Sequence, residues 1–191
     1  MMKNLPNFIT VSRLFFGLVV SILIFFKSDT IVILSSVLFL IGSLSDALDG
    51  AFARRQSKES TFGTFLDPIA DKIFVFLVLI SLVYNNDSLA LFIIATTIMM
   101  REIVVMSLRE WISKIGENEV LKVSSSAKIK TIIQMAGITL FISTPAINLS
   151  YFYEFTITVL ILGTIMGLYS AYKYINKSFI YIKWISLQNH T

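Results

Sequence analysis

The chain of 191 residues has no cysteine and a single histidine, and only 15% of its residues are charged. Without cysteine, disulfide frameworks and thiolate metal sites are excluded. The one histidine, His190, lies in a polar C-terminal segment and is interpreted as a surface residue rather than a ligand or base. Soluble domains carry roughly a quarter charged residues. The scarcity of charge therefore argues against a soluble protein.

Hydrophobic residues make up 55% of the chain, and the mean hydropathy is +0.79. A membrane-spanning helix needs about 20 mostly apolar residues. Six windows of this kind can be recognised, at about 8–26, 31–53, 64–84, 88–108, 129–149 and 151–172. We therefore predict an all-α integral membrane protein with six transmembrane helices, forming a single domain over residues 1–191.

The formal net charge of +4 is not arranged as the basic stripe of a nucleic-acid-binding module, so no nucleic-acid partner is expected. Lys and Arg accumulate in short cytoplasmic loops of membrane proteins. With the N-terminus inside, only Lys27 of the 16 basic residues lies outside, which leaves 15 on or near the cytoplasmic side. After residue 172, aromatic residues alternate with Lys177 and Lys183, a mixture typical of the membrane interface.

Four aspartates lie within or at the ends of the apolar windows, where ionisable groups are costly and by default functional. Asp46 and Asp49 are three residues apart, and Asp67 and Asp71 are four apart, so each pair shares one helix face. The short link 50–66 allows a hairpin that brings both faces together. Four such carboxylates would repel one another unless a cation neutralised them, and oxygen ligands favour Mg²⁺ or Mn²⁺.

An alternative is that these carboxylates form salt bridges at helix ends with the nearby bases Arg54, Arg55, Lys58 and Lys72. Gly50 permits close approach of a ligand or of a neighbouring helix. Pro68 suits the first turn of a helix, which would place Asp67 close to a helix N-terminus facing the cytoplasm.

The residues DALDGAFAR at 46–54, followed by Gly63, Asp67 and Asp71, match the pattern D-x-x-D-G-x-x-A-R, eight residues, G-x-x-x-D-x-x-x-D. By this specific signature the chain resembles the CDP-alcohol phosphatidyltransferases. Softer motifs resemble the bacterial members that use sn-glycerol 3-phosphate, namely LPNFIT at 5–10 with Arg13, DPIADK at 67–72, REI at 101–103, and KIKT at 128–131 with Gln134.

The resemblance implies a membrane transferase of phospholipid biosynthesis with an active-site cavity that faces the cytoplasm. It implies two divalent ions, Mg²⁺ or Mn²⁺, held by Asp46, Asp49, Asp67 and Asp71, with Asp71 also acting as the general base. The CDP-diacylglycerol would lie near Gly50, Ala53, Arg54, Ser60 and Gly63. The products would be phosphatidylglycerol phosphate and CMP, and the resemblance suggests a homodimer.

An acceptor that carries its own phosphate needs a basic pocket near the aspartates. The candidates are Arg101, Arg109, Lys128 and Lys130, each of which could instead anchor anionic lipid headgroups. Glu102 is given no role beyond pairing with a neighbouring base. Three alternatives stay open: the same chemistry with inositol phosphate or serine, a divalent-cation transporter, and a purely structural membrane protein.

Overall fold

The computed structural model describes the backbone of residues 5–53, 61–114 and 125–188, and side chains within 11–45, 68–114 and 129–180. The described residues form six α-helices and contain no strand. These helices are α1 (Leu5–Leu23), α2 (Asp29–Ala53), α3 (Thr61–Asn85), α4 (Leu89–Lys114), α5 (Ser125–Ser143) and α6 (Phe152–Gln188). The predicted all-α architecture with six helices is confirmed.

Four stretches within the described residues are long and apolar enough to cross a membrane: Pro68–Asn85, Leu89–Lys114, Ile129–Ala146 and Phe152–Ile180. The described parts of α1 and α2 contribute shorter apolar stretches, Val11–Leu23 and Asp29–Ser45. Large hydrophobic side chains are exposed on every helix, for example Phe15, Phe92 and Ile165. In a bilayer this apolar exterior faces acyl chains rather than water.

The helix boundaries differ from the predicted windows by several residues, and the differences in α3 and α6 have structural consequences. Helix α3 begins at Thr61, so Pro68 lies inside the helix rather than in its first turn, and Asp67 lies almost two turns from the N-terminus. Transmembrane helices tolerate such a proline because neighbouring groups can satisfy the freed carbonyl. Helix α6 continues to Gln188, and its 37 residues give a length of about 55 Å. Because the hydrocarbon core is about 30 Å thick, part of α6 must extend beyond it.

The helices form a closed ring, in which the main contacts of each helix are with two others, in the order α1, α3, α4, α6, α5, α2 and back to α1. Helices α1 and α3 run parallel, because Arg13 pairs with Asp71 towards one end while Asn85 Nδ2 donates to Ile24 O at 3.1 Å at the other. Helices α4 and α6 are likewise parallel. Tyr153 Oη at the start of α6 donates to Ser88 Oγ, the residue before α4, at 3.0 Å, and further along both helices Arg101 Nε donates to Gly167 O at 3.1 Å.

The apolar core lies between the contacts of Arg13 and Arg101 and the end of the bundle where the connections after α1, α3 and α5 meet. Phe74 is buried one turn after Asp71 and stacks on Phe39 of α2, with ring centroids 5.0 Å apart. Gly42 makes room for this ring, since a Cβ there would lie 2.7 Å from Phe74 Cζ. The close approach joins α3 to α2 and fixes the rotation of α3 that carries Asp71.

Candidate active site

Six charged side chains from four helices lie close together inside the bundle and form what we call the charged layer. Its members are Arg13, Asp71, Lys72, Arg101, Glu102 and Lys130. All but Arg13 belong to stretches that are apolar enough to span a membrane. A charge at the centre of a membrane helix costs about 2.5–3.5 kcal/mol on insertion scales. Five charges in apolar stretches, together with Arg13, make this layer the candidate functional site.

The first part of the charged layer is an ion pair between α1 and α3. Arg13, the one charged residue of α1, has a side chain only 3% exposed, and its Nη1 donates to Asp71 Oδ1. Asp71 is 29% exposed, so its carboxylate also reaches the surface of the site. Arg13 thus orients the aspartate for which the family resemblance implies the role of general base.

The second part is a basic cluster, defined as Lys72, Arg101 and Lys130 around the carboxylate of Glu102. Glu102 Oε2 accepts from Lys72 Nζ at 2.7 Å. Its Oε1 accepts from Lys130 Nζ at 3.1 Å and from Arg101 Nη1. The cluster therefore joins α3, α4 and α5 through one carboxylate.

Two of these bases are buried unusually deeply for their type. Arg101 is 8% exposed and Lys130 is 7% exposed. Arg101 is also held from α6, because its Nε donates to Gly167 O at 3.1 Å. Gly167 lies beside the guanidinium, and a Cβ at this position would be 3.7 Å from Arg101 Nε. Arg101 is thereby fixed in position by two helices.

The two parts meet at consecutive residues of α3. Side chains of neighbouring residues in a helix point about 100° apart. Asp71 is therefore directed towards α1, where it pairs with Arg13, while Lys72 is directed towards α4, where it pairs with Glu102. The aspartate motif and the basic cluster are in this way adjacent through a single peptide bond.

The remaining predicted acids and lipid-contacting residues lie at or near the C-terminal end of α2 and the N-terminal end of α3. Asp46, Asp49, Gly50 and Ala53 occupy the last turns of α2, and Gly63 and Asp67 occupy the first two turns of α3. The side chains of these six fall outside the described set, and Arg54 and Ser60 lie wholly outside the described residues. Their predicted roles stay predictions.

A divalent ion would suit the donor set at these helix ends. The four aspartates offer only carboxylate oxygen, the ligand that Mg²⁺ and Mn²⁺ prefer. The helical backbone at Asp46 and Asp49 agrees with a shared face, as does that at Asp67 and Asp71. Among the described side chains no three acidic or histidine groups cluster, but three of the four aspartates do not belong to that set.

The other predicted acceptor-binding residues lie apart from Glu102 or outside the described side chains. Arg109 is exposed two turns further along α4, with its Cζ 5.7 Å from the ring centroid of Tyr174 on α6. Lys128 belongs to the first turn of α5, and its side chain is not described. The structure thus brings Arg101 and Lys130 together.

Sequence reasoning did not predict that Glu102 and Lys72 would meet in the charged layer. The available signal was the one used for the aspartates, because Glu102 is an acid in the middle of an apolar window. Its direct neighbour Arg101 masked that signal by offering a local ion pair. The contact with Lys130, 28 residues away, could not be read from spacing.

Comparisons with known proteins cover almost the whole chain. Residues 3–171 match the family model described as CDP-alcohol phosphatidyltransferase. A CDP-diacylglycerol–glycerol-3-phosphate 3-phosphatidyltransferase of Wigglesworthia glossinidia brevipalpis is 33% identical over 190 residues, 98% of each chain. Proteins of the same name are 30% identical in Salmonella paratyphi A, over 92% of this chain and 95% of the relative, and 31% identical in Yersinia pestis strain Pestoides F, over 74% and 76%.

Proposed function

The chain belongs to the CDP-alcohol phosphatidyltransferase family, and we propose that it transfers the phosphatidyl group of CDP-diacylglycerol to sn-glycerol 3-phosphate. The products are phosphatidylglycerol phosphate and CMP, so the enzyme acts in phospholipid biosynthesis. The similarity to the Wigglesworthia relative over 98% of both chains supports this acceptor. The structural observation that carries the proposal is the basic cluster one residue away from Asp71.

In the proposed reaction, Asp71 takes the proton from the free primary hydroxyl of glycerol 3-phosphate. The hydroxyl oxygen attacks the β-phosphorus of CDP-diacylglycerol, and the bond from that phosphorus to the bridging oxygen breaks as CMP leaves. Arg13 holds the Asp71 carboxylate from the side of α1. Buried at 3% exposure, its guanidinium restricts the rotamers that Asp71 can adopt.

We propose that Asp46, Asp49, Asp67 and Asp71 hold two divalent ions, Mg²⁺ or Mn²⁺. Bound there, such ions would neutralise the pyrophosphate and stabilise the departing CMP. The nucleotide and pyrophosphate would lie between the end of α2 and the start of α3. Gly50, Ala53, Arg54, Ser60 and Gly63 would contact them, and the glycines would allow the close approach.

The acceptor's phosphate is proposed to bind to Arg101 and Lys130, with Arg109 and Lys128 at the entrance. The convergence of Arg101 and Lys130 on one carboxylate supports this assignment. Three cations and one anion leave the basic cluster with a charge of +2, which complements a phosphate monoester dianion. The same excess charge favours a phosphorylated acceptor over serine, which has no net charge.

We further propose a cytoplasmic active site, with the N-terminus inside and the whole chain acting as one domain in a multi-pass membrane protein. The distribution of basic residues supports this orientation. A homodimer, as the family resemblance suggests, completes the proposal.

The test is CMP release by the purified protein in mixed micelles containing CDP-diacylglycerol and Mg²⁺. Parallel reactions contain glycerol 3-phosphate, inositol phosphate or serine. CMP release is expected only in the reaction that contains glycerol 3-phosphate. Release only with another alcohol would reassign the acceptor, and no release with any of them, together with metal uptake into proteoliposomes, would favour a cation transporter.

A further inference from the structure

Glu102 occupies an unusual position for an acid in a site that is proposed to bind anions. It belongs to α4, yet its carboxylate contacts Lys130 of α5, although α4 and α5 are not neighbours in the ring of helices. The contact therefore crosses the interior of the bundle. An acid kept beside a phosphate pocket would repel the ligand, so its presence requires a compensating advantage.

The geometry of the contacts indicates what that advantage is. The two carboxylate oxygens are divided between opposite sides: Oε2 accepts from Lys72 at 2.7 Å, while Oε1 accepts from Lys130 at 3.1 Å and from Arg101. Flexible lysine side chains on different helices would otherwise repel one another and separate. A single bidentate carboxylate fixes the spacing of all three cations.

We propose that Glu102 is a positioning residue, which holds Lys72, Arg101 and Lys130 at the spacing needed to bind the phosphate of a phosphorylated alcohol within reach of Asp71. This inference rests on the proposed function. Lys72 is the essential link, because it follows Asp71 directly on α3 and is held by Glu102 on α4. Through this pair, Glu102 sets the distance between the cation cluster and the base.

The proposal predicts that neutralising Glu102 weakens acceptor binding, which is the opposite of what the change in net charge alone would cause. Glu102→Gln raises the net charge of the cluster from +2 to +3, so electrostatics alone would tighten binding of a dianionic acceptor and lower its KM. A positioning role requires the reverse. The amide has one acceptor oxygen instead of two, and its NH₂ group would face a cation.

The experiment compares steady-state kinetics of the wild type, Glu102→Gln and Glu102→Asp in mixed micelles. For Glu102→Gln we expect the KM for glycerol 3-phosphate to rise about 10-fold or more, the equivalent of one lost charge-assisted contact. The KM for CDP-diacylglycerol should stay within about twofold, because the acceptor contacts alone are disturbed. Glu102→Asp keeps the charge but is shorter by about 1.5 Å, so its increase in acceptor KM should be smaller.

Glu110→Gln is the matched control on the same helix. Glu110 pairs with Lys114 at 2.9 Å, and both side chains are at least 70% exposed, so neutralising it should leave both KM values unchanged. A lower acceptor KM in Glu102→Gln would overturn the proposal, as would a loss of active enzyme with both KM values unchanged. If Glu102→Gln fails to fold, Glu102→Asp provides the decisive comparison, and an unchanged acceptor KM there would refute the positioning role.

A binding measurement separates this inference from the proposed function. Glycerol 3-phosphate should raise the Tm of the purified wild-type protein, and Glu102→Gln should abolish most of that rise at the same ligand concentration. If the wild type shows this shift, Glu102→Gln loses most of it and the wild type releases no CMP, the proposed reaction fails while the role of Glu102 stands. If neither wild type nor variant shows a shift, the positioning role fails even if turnover is observed.

Discussion

Arg101→Lys tests whether the acceptor site needs a guanidinium or only a positive charge. The substitution preserves the charge in a side chain that is 7% exposed. It removes the planar group that donates to Glu102 and to Gly167 O at 3.1 Å at the same time. An ammonium is a point charge on a flexible stem and cannot reproduce both contacts with one geometry.

The expected magnitude follows from the contact that is lost. A hydrogen bond from a charged group contributes about 1.5–3 kcal/mol. If most of this loss appears in acceptor binding, the KM for glycerol 3-phosphate rises about 10- to 100-fold, at 1.4 kcal/mol per factor of ten. The KM for CDP-diacylglycerol should change less than about twofold.

The assay is CMP release at varied glycerol 3-phosphate and saturating CDP-diacylglycerol, with Tm recorded for each variant. Lys114→Arg, an exchange at a 72% exposed position of the same helix, serves as control and should have no effect on either KM. A normal acceptor KM in Arg101→Lys, at unchanged Tm, would refute the reasoning. The acceptor phosphate would then have to bind elsewhere.

Three further predictions concern the aspartates, the packing and the orientation. Asp71→Asn should lower kcat at least about 10²-fold with little loss of CDP-diacylglycerol binding. Asp46→Asn should instead weaken the binding of metal and of CDP-diacylglycerol together. Recovery of Asp71→Asn turnover in excess Mg²⁺ would contradict the assignment of Asp71 as the base. Gly42→Ala should destabilise the protein by about 1–3 kcal/mol, because the added methyl group would overpack against the ring of Phe74. This loss is measured as a lower Tm, which the second substitution Phe74→Leu should restore. Cysteine at Ser57 should react with an impermeant thiol reagent from the cytoplasm and cysteine at Asn86 from outside, and the reverse pattern would invert the topology.

The charged layer also offers a reason for the close packing around Phe74. The ring of Phe74 is enclosed by α2 and α1, with Gly42 and Gly17 leaving the space that it fills. Because Phe74 lies one turn from Asp71, this packing restricts both the rotation and the tilt of α3. The position of Asp71 in the charged layer therefore depends on the apolar contacts of Phe74 with α1 and α2.

Much of this protein was determined by local sequence alone. Apolar windows of about 20 residues predict six helices, because a backbone in lipid must satisfy its hydrogen bonds internally. Spacings of three and four residues predict that Asp46 and Asp49, and likewise Asp67 and Asp71, share a helix face. These conclusions need no knowledge of neighbouring helices, since each rests on the geometry of one helix.

Only the tertiary structure decided which of the basic residues meet. Helical periodicity assigns a residue to a face, but it does not state which helix that face contacts. Lys130 and Glu102 are 28 residues apart on helices that are not neighbours in the ring. Their contact depends on how all six helices pack and rotate. The same holds for Arg101 and Arg109, which the sequence offered as equal candidates. Arg101 is buried and bound to Glu102, whereas Arg109 is exposed and lies over the ring of Tyr174.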